Sequence, residues 1–173
     1  MAIWILRILS YIFLLYLLYF SQEVGRYLLG LRLGVPGSSI KIDMGEFPQR
    51  TSIYDGERWV SSNEEDFLKA YSRYDVFWEY GFLFASSGIF GESALTVIIT
   101  LSCALLRLDE IALAAVLVST GLNLVQMAYS IIISWRGDEI KGDYTVIHKL
   151  NARLAAGMVV FVFLLRLALF AAV

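Results

Sequence analysis

The stretch from Ser10 to Gly34, SYIFLLYLLYFSQEVGRYLLGLRLG, is apolar for most of its length yet carries Gln22, Glu23 and Arg26. Read as a helix, Gln22 and Arg26 share a face at four-residue spacing, and Glu23 lies beside Arg26 at three. Ionisable groups are costly inside hydrocarbon, so a Glu–Arg pair there marks a functional site by default. The bland alternative puts residues 21–26 at the helix end, where an arginine reaches the headgroups at little cost. Both readings stay open at this level.

Working outward, the whole chain of 173 residues is 58% hydrophobic with a mean hydropathy of +0.67. That composition indicates an all-α integral membrane protein in one compact unit. A net charge of −2 offers no broad basic surface, so nucleic acid is not an expected partner. Cys103 is the single cysteine and His148 the single histidine. An internal disulfide is therefore impossible, as is any metal site needing two imidazoles from one chain. Arg7 and the apolar run after it imitate a signal sequence. No small-x-small cleavage pattern follows Phe20, so the segment is expected to be retained.

About four spanning helices are expected, with a small surface β-hairpin between the first and second. The first helix occupies residues 1–34 and ends at Gly34, Pro36 and Gly37. Residues 35–63 form the hairpin. Ser39 to Met44 alternates apolar and polar, Gly45, Pro48 and Asp55-Gly56 mark turns, and Glu57 to Val60 supplies a return strand. Residues 64–107 hold an interfacial helix and the second span. Asn63 before Glu64-Glu65-Asp66 reads as its cap, and Phe67, Tyr71, Tyr74 and Trp78 recur at helical spacing. A break is expected near Ser86–Gly91, and Glu92 is read as an interfacial cap in preference to a buried polar group. Ser87 and Gly91 form a small-residue pair that lets another helix approach. The third span covers residues 111–134, with Asn123 and Gln126 as its strong polar groups. Trp135 to Lys149 is expected to be a polar loop, and residues 150–173 form the fourth span. Arg166 lies deep in that last helix. It either snorkels to the C-terminal interface or pairs with an acid on a partner chain. Lysine and arginine concentrate in residues 35–75 and 135–149, which predicts that both loops are cytoplasmic.

The order of these motifs resembles the site-2 protease type of membrane metalloprotease. That family carries His-Glu-x-Gly-His in its first core helix, then a Leu-Gly-Val-rich exit. Here the run is Gln22-Glu23-Val24-Gly25-Arg26, followed by Tyr27 to Pro36. The glutamate and glycine are present, and both metal-binding imidazoles are replaced. The family's Asn-x-x-Pro is matched by Asn123-Leu124-Val125-Gln126, and its zinc-binding Asp-Gly by Asp138-Glu139. The resemblance implies short strands after the first helix that hold partners by strand addition, which makes Ile40 and Ile42 partner-binding candidates beside Ser87, Gly91 and Arg166.

Gln22 offers only an amide oxygen, and a permanent cation at Arg26 repels a divalent metal. No zinc and no other cofactor is expected, and Glu23 has no metal-bound water to activate. The expected function is that of a non-catalytic pseudoprotease, a scaffold or accessory subunit that binds partner transmembrane segments within the lipid bilayer. A small channel or carrier with Glu23, Arg26, Glu79 and Glu92 along a polar path is the alternative. The replacements also suggest that Arg26 bridges Glu23 and Asp138, holding by charge what zinc would hold by coordination.

Overall fold

The computed structural model describes residues 2–45, 47–64, 66–77, 79–136 and 143–173. Helix α1 runs from Ala2 to Arg32 and stops where a glycine permits it. Gly34 takes φ +99. Its N–H donates to the Leu31 carbonyl and that of Val35 to Gly30, at 3.2 and 3.0 Å. This is the paired closure that a left-handed residue allows after a helix end. A short sheet follows, made of β1 (Ile40–Asp43), β2 (Arg50–Tyr54) and β3 (Trp59–Ser61), antiparallel and in the order β1-β2-β3. Ile40 faces Ile53 across the first pairing and Ile53 faces Val60 across the second.

The expected two-stranded hairpin is thus corrected to three strands. Arg50 to Tyr54 is the strand that was not anticipated: Thr51, Ser52 and Ile53 are all buried, and their pattern does not alternate. The expected return segment is β3, and it pairs with β2 instead of β1. Between β2 and β3, Asp55 Oδ1 accepts from the N–H groups of Glu57 and Arg58 at 2.8 and 2.9 Å, while Gly56 takes φ +100.

Helix α2 is only Phe67–Tyr71, preceded by Asp66, so the start expected at Asn63 falls three residues too early. Its aromatic rings Phe67 and Tyr71 turn inward, beneath the sheet. Tyr71 stacks on Phe84 with ring centroids 4.0 Å apart, and Phe67 follows at 5.7 Å. Together with Val35, Ile40, Ile53 and Val60 they form a core between the sheet and the helices. The Tyr71 hydroxyl donates to Asp75 at 3.2 Å. Burial, reinforced by the Asp75 charge, pushes the Tyr71 phenol above its ordinary value, so it remains a donor. Asp75 also accepts from the backbone of Glu79 and Tyr80, which fixes the approach to the next helix.

Helix α3 spans Gly81–Leu105 without interruption, and the expected break at Ser86–Gly91 is absent. The Ser86 and Ser87 hydroxyls donate back to the carbonyls of Phe82 and Phe84, both at 2.6 Å, so neither competes for the helical ladder. Arg107 turns the chain with φ 58, and the Leu108 N–H reaches the Cys103 carbonyl at 2.8 Å. Helix α4 (Asp109–Arg136) follows, then α5 (Asp143–Leu150) within the segment expected to be loop. Helix α6 (Ala152–Ala171) is capped by the Asn151 side chain, which accepts from the Leu154 N–H at 3.1 Å. Among the described residues, four helices are long and apolar enough to cross a membrane: Arg7–Arg32, Gly81–Leu105, Asp109–Ile132 and Ala152–Ala171.

The closest helix packing joins α1 to α3. A Cβ added to Gly25 would lie 2.5 Å from the Ser87 carbonyl oxygen, and one added to Gly91 would lie 2.5 Å from that of Ser21. Any larger residue at either position would separate the backbones. The small pair Ser87 and Gly91 therefore receives the chain's own first helix. Ile40 is likewise taken up internally, buried in the core under the sheet, and Ile42 is half-buried.

Candidate functional site: two buried ionic clusters joined by a polar seam

The first cluster forms because α1 presents its acid and base on one face and the sheet closes over them. Arg26 Nη1 donates to Glu23 Oε1 at 2.6 Å. The Thr51 N–H of β2 donates to Glu23 Oε2 at 2.8 Å, and the Ser62 hydroxyl approaches both oxygens at 3.2 and 3.1 Å. Thr51 also donates its hydroxyl to the backbone carbonyl of Glu23 at 2.8 Å. Glu23 is 1% exposed and Arg26 7%. Gly88 on α3 leaves room for the guanidinium, since a Cβ there would lie 2.9 Å from Nη2. Arg26 is six residues, or ~9 Å of rise, from Arg32 by helix geometry. The snorkelling alternative fails because the guanidinium is buried in protein and paired with Glu23.

Gln22, one residue before Glu23, forms a reciprocal amide pair with Gln126 of α4. Gln126 Nε2 donates to Gln22 Oε1 at 2.9 Å and Gln22 Nε2 donates back at 3.2 Å. Two amides facing each other satisfy one donor and one acceptor on each side, which ties α1 to α4.

The second cluster centres on Glu92, which is fully buried. Its Oε1 accepts from Ser119 of α4 and from Thr96 at 3.2 Å. Its Oε2 accepts from Asn123 Nδ2 and from Arg166 Nη2, both at 2.9 Å. Asn123 in turn accepts from the Tyr144 hydroxyl of α5 at 2.7 Å. Arg166 Nη2 also donates to the Ser93 hydroxyl at 3.1 Å. Side chains tilt towards the N-terminus of their helix, which lets Arg166, fourteen residues into α6, reach back to the level of Glu92. Both earlier readings of Arg166 are corrected: its acid belongs to the same chain, and it is 3% exposed. Glu92 is corrected too, from an interfacial cap to the hub of four helices.

Asn123 and Gln126, three residues apart on α4, connect the clusters into one seam. It runs Glu23–Arg26, Gln22–Gln126, Asn123–Glu92–Arg166. Of the sequence-singled residues, Gln22, Glu23, Arg26, Asn123, Gln126 and Arg166 come together in this seam. Asp138 lies outside the described residues. Ser119, Thr51, Ser62 and Tyr144 are participants that sequence reasoning missed. Ser and Thr are common in membrane helices and turns, so their presence alone carries no signal. Among the described residues, no three His, Cys, Asp or Glu side chains group closely enough to hold a metal ion.

No protein-family profile, curated protein or solved structure matches this chain.

Proposed function

We propose that this chain is a multi-pass membrane pseudoprotease, a degenerate relative of the site-2 proteases, that acts as a non-catalytic scaffold or accessory subunit for partner transmembrane segments. The observation that carries this reading is the state of Glu23. A catalytic carboxylate needs an oxygen free to take a proton from water. Both oxygens of Glu23 instead accept from Arg26, Thr51 and Ser62, and the carboxylate serves as a clamp between α1 and the sheet. Gln22 is occupied in the same structural way by Gln126. A protease motif converted wholly to fastening is what a scaffold built on that frame requires.

The polar seam favours one second reading, a small channel or carrier. It ranks below the first because opening the seam would break two buried ion pairs, each of which leaves a costly unpaired charge. By the distribution of lysine and arginine, the sheet end of the bundle faces the cytoplasm. Cysteine labelling at Glu57 and Arg107 from either side of the membrane tests that orientation.

The deciding experiment is purification of the tagged full chain in mild detergent, with mass spectrometry of what accompanies it and ion flux measured after reconstitution. The scaffold reading expects a stoichiometric membrane-protein partner and no flux above empty liposomes. A solitary chain that conducts ions would replace it with the channel reading. Metal-dependent cleavage of a transmembrane peptide, lost with Glu23→Gln, would overturn both.

A further inference from the structure

Beside the Gly25–Gly91 contact, α1 and α3 border an open cleft of about 340 Å³. Its walls are Leu28, Leu29, Leu83 and Phe90, its floor is the glycine crossing, and its one charged lining residue is Arg32. Leu28 is 58% exposed and Leu83 43%, so the cleft opens away from the protein. Arg32 is exposed at the last residue of α1 and of the first candidate span. If α1 crosses the bilayer, Arg32 stands at the headgroup level and the cleft descends from it into hydrocarbon. Among the described residues Arg32 has no hydrogen-bond or ion-pair partner, unlike Arg7, Arg26, Arg58 and Arg166.

We propose that this cleft binds one phospholipid with an anionic headgroup, its phosphate on Arg32 and one acyl chain along the leucine walls. Place and charge point to a lipid. Arg32 and Gly25 are seven residues apart, about 10 Å of helical rise, so an apolar trough of that length runs from an exposed cation at the end of the span, the arrangement of a headgroup and the upper part of one acyl chain. Charge decides the headgroup. A cation at the headgroup level with no partner among the described residues favours a net negative lipid by about 1 kcal/mol, or about fivefold in affinity.

Native mass spectrometry of the full chain, titrated with phosphatidylglycerol and phosphatidylcholine of identical acyl chains, tests this directly. The expected result is about fivefold tighter binding of phosphatidylglycerol. Arg32→Gln should bring the ratio close to one, while Arg107→Gln, at the opposite end of the bundle, should leave it unchanged. Equal affinity for the two lipids in the parent chain overturns the proposal, as does a preference that survives Arg32→Gln. A dimer mass that excess lipid does not displace, but that Leu83→Trp disrupts, would assign the cleft to a second copy and would overturn it as well. Position along the cleft has its own readout. Leu83→Trp fluorescence should be quenched more strongly by phosphatidylglycerol brominated on its acyl chain than by the matching phosphatidylcholine. Arg32→Gln should remove that difference, and equal quenching by the two lipids in the presence of Arg32 contradicts the acyl placement.

Discussion

Glu23 and Arg26 sit three residues apart on one helix, whereas Glu92 and Arg166 come from α3 and α6 and are separated by 74 residues. The first pair is preassembled by helix geometry and then covered by the sheet, which adds a backbone N–H and a hydroxyl to the carboxylate. The second exists only once four helices have packed, because Glu92 draws its partners from α3, α4 and α6, with α5 attached through Asn123. A local pair orients one element on its neighbour. A remote pair specifies the arrangement of the whole bundle.

The difference predicts unequal responses to losing the arginine. Arg166→Leu leaves Glu92 charged and fully enclosed, and removal of one partner of a buried pair typically costs about 3–5 kcal/mol. We expect the upper part of that range, read as loss of folded chain in denaturant titration in detergent. Arg26→Leu should cost less, about 3 kcal/mol, since Arg26 pairs within its own helix and is 7% exposed, whereas Arg166 joins α6 to α3. Arg26→Lys should recover part of the loss, because an ammonium keeps the charge but not the forked geometry. Equal losses for Arg166→Leu and Arg26→Leu would show that the remote pair holds the bundle no more firmly than the local one. Thr51→Val deletes the hydroxyl bond to the Glu23 carbonyl while keeping the N–H bond to its carboxylate. That should cost about 1 kcal/mol, with faster amide exchange in β2 and little change in α6.

The smallest effect sharpens the comparison from outside the bundle. Asp55 at the β2–β3 turn is half-buried, and the backbone N–H groups of Arg58 and Glu57 hold its carboxyl below the ordinary 3.8. Its folded pKa is depressed, so its contribution is complete above pH 3.8 and is lost as pH falls through the lower folded value. Amide exchange at Glu57 and Arg58 should therefore accelerate, after correction for intrinsic rates, only on acidification below about pH 4. Asp55→Asn should flatten that dependence.

The helical spans and the first cluster were legible because their signals are local. Apolar length marks a span, and acid and base at i and i+3 on one helix mark a pair. Gly34 ended α1 as expected for the same reason. The second cluster was not legible, since nothing near Glu92 or Arg166 in sequence names the other, and each had a plausible interfacial reading alone. Strand β2 was missed because it is buried along Thr51 to Ile53 and lacks alternation. The Ser86–Gly91 run looked like a break by composition. Close packing against Gly25 and back-bonded serines made it the tightest part of a continuous helix.

The central claim is that the buried charges of this chain act as fasteners between elements. A double-mutant cycle on Glu92→Leu and Arg166→Leu, with unfolding free energies measured in one detergent, tests it most directly. Each single variant should be strongly destabilised, and the double variant should recover most of the loss, because an apolar pair leaves no uncompensated charge. A double variant whose loss equals the sum of the singles, within about 0.5 kcal/mol, would contradict the account.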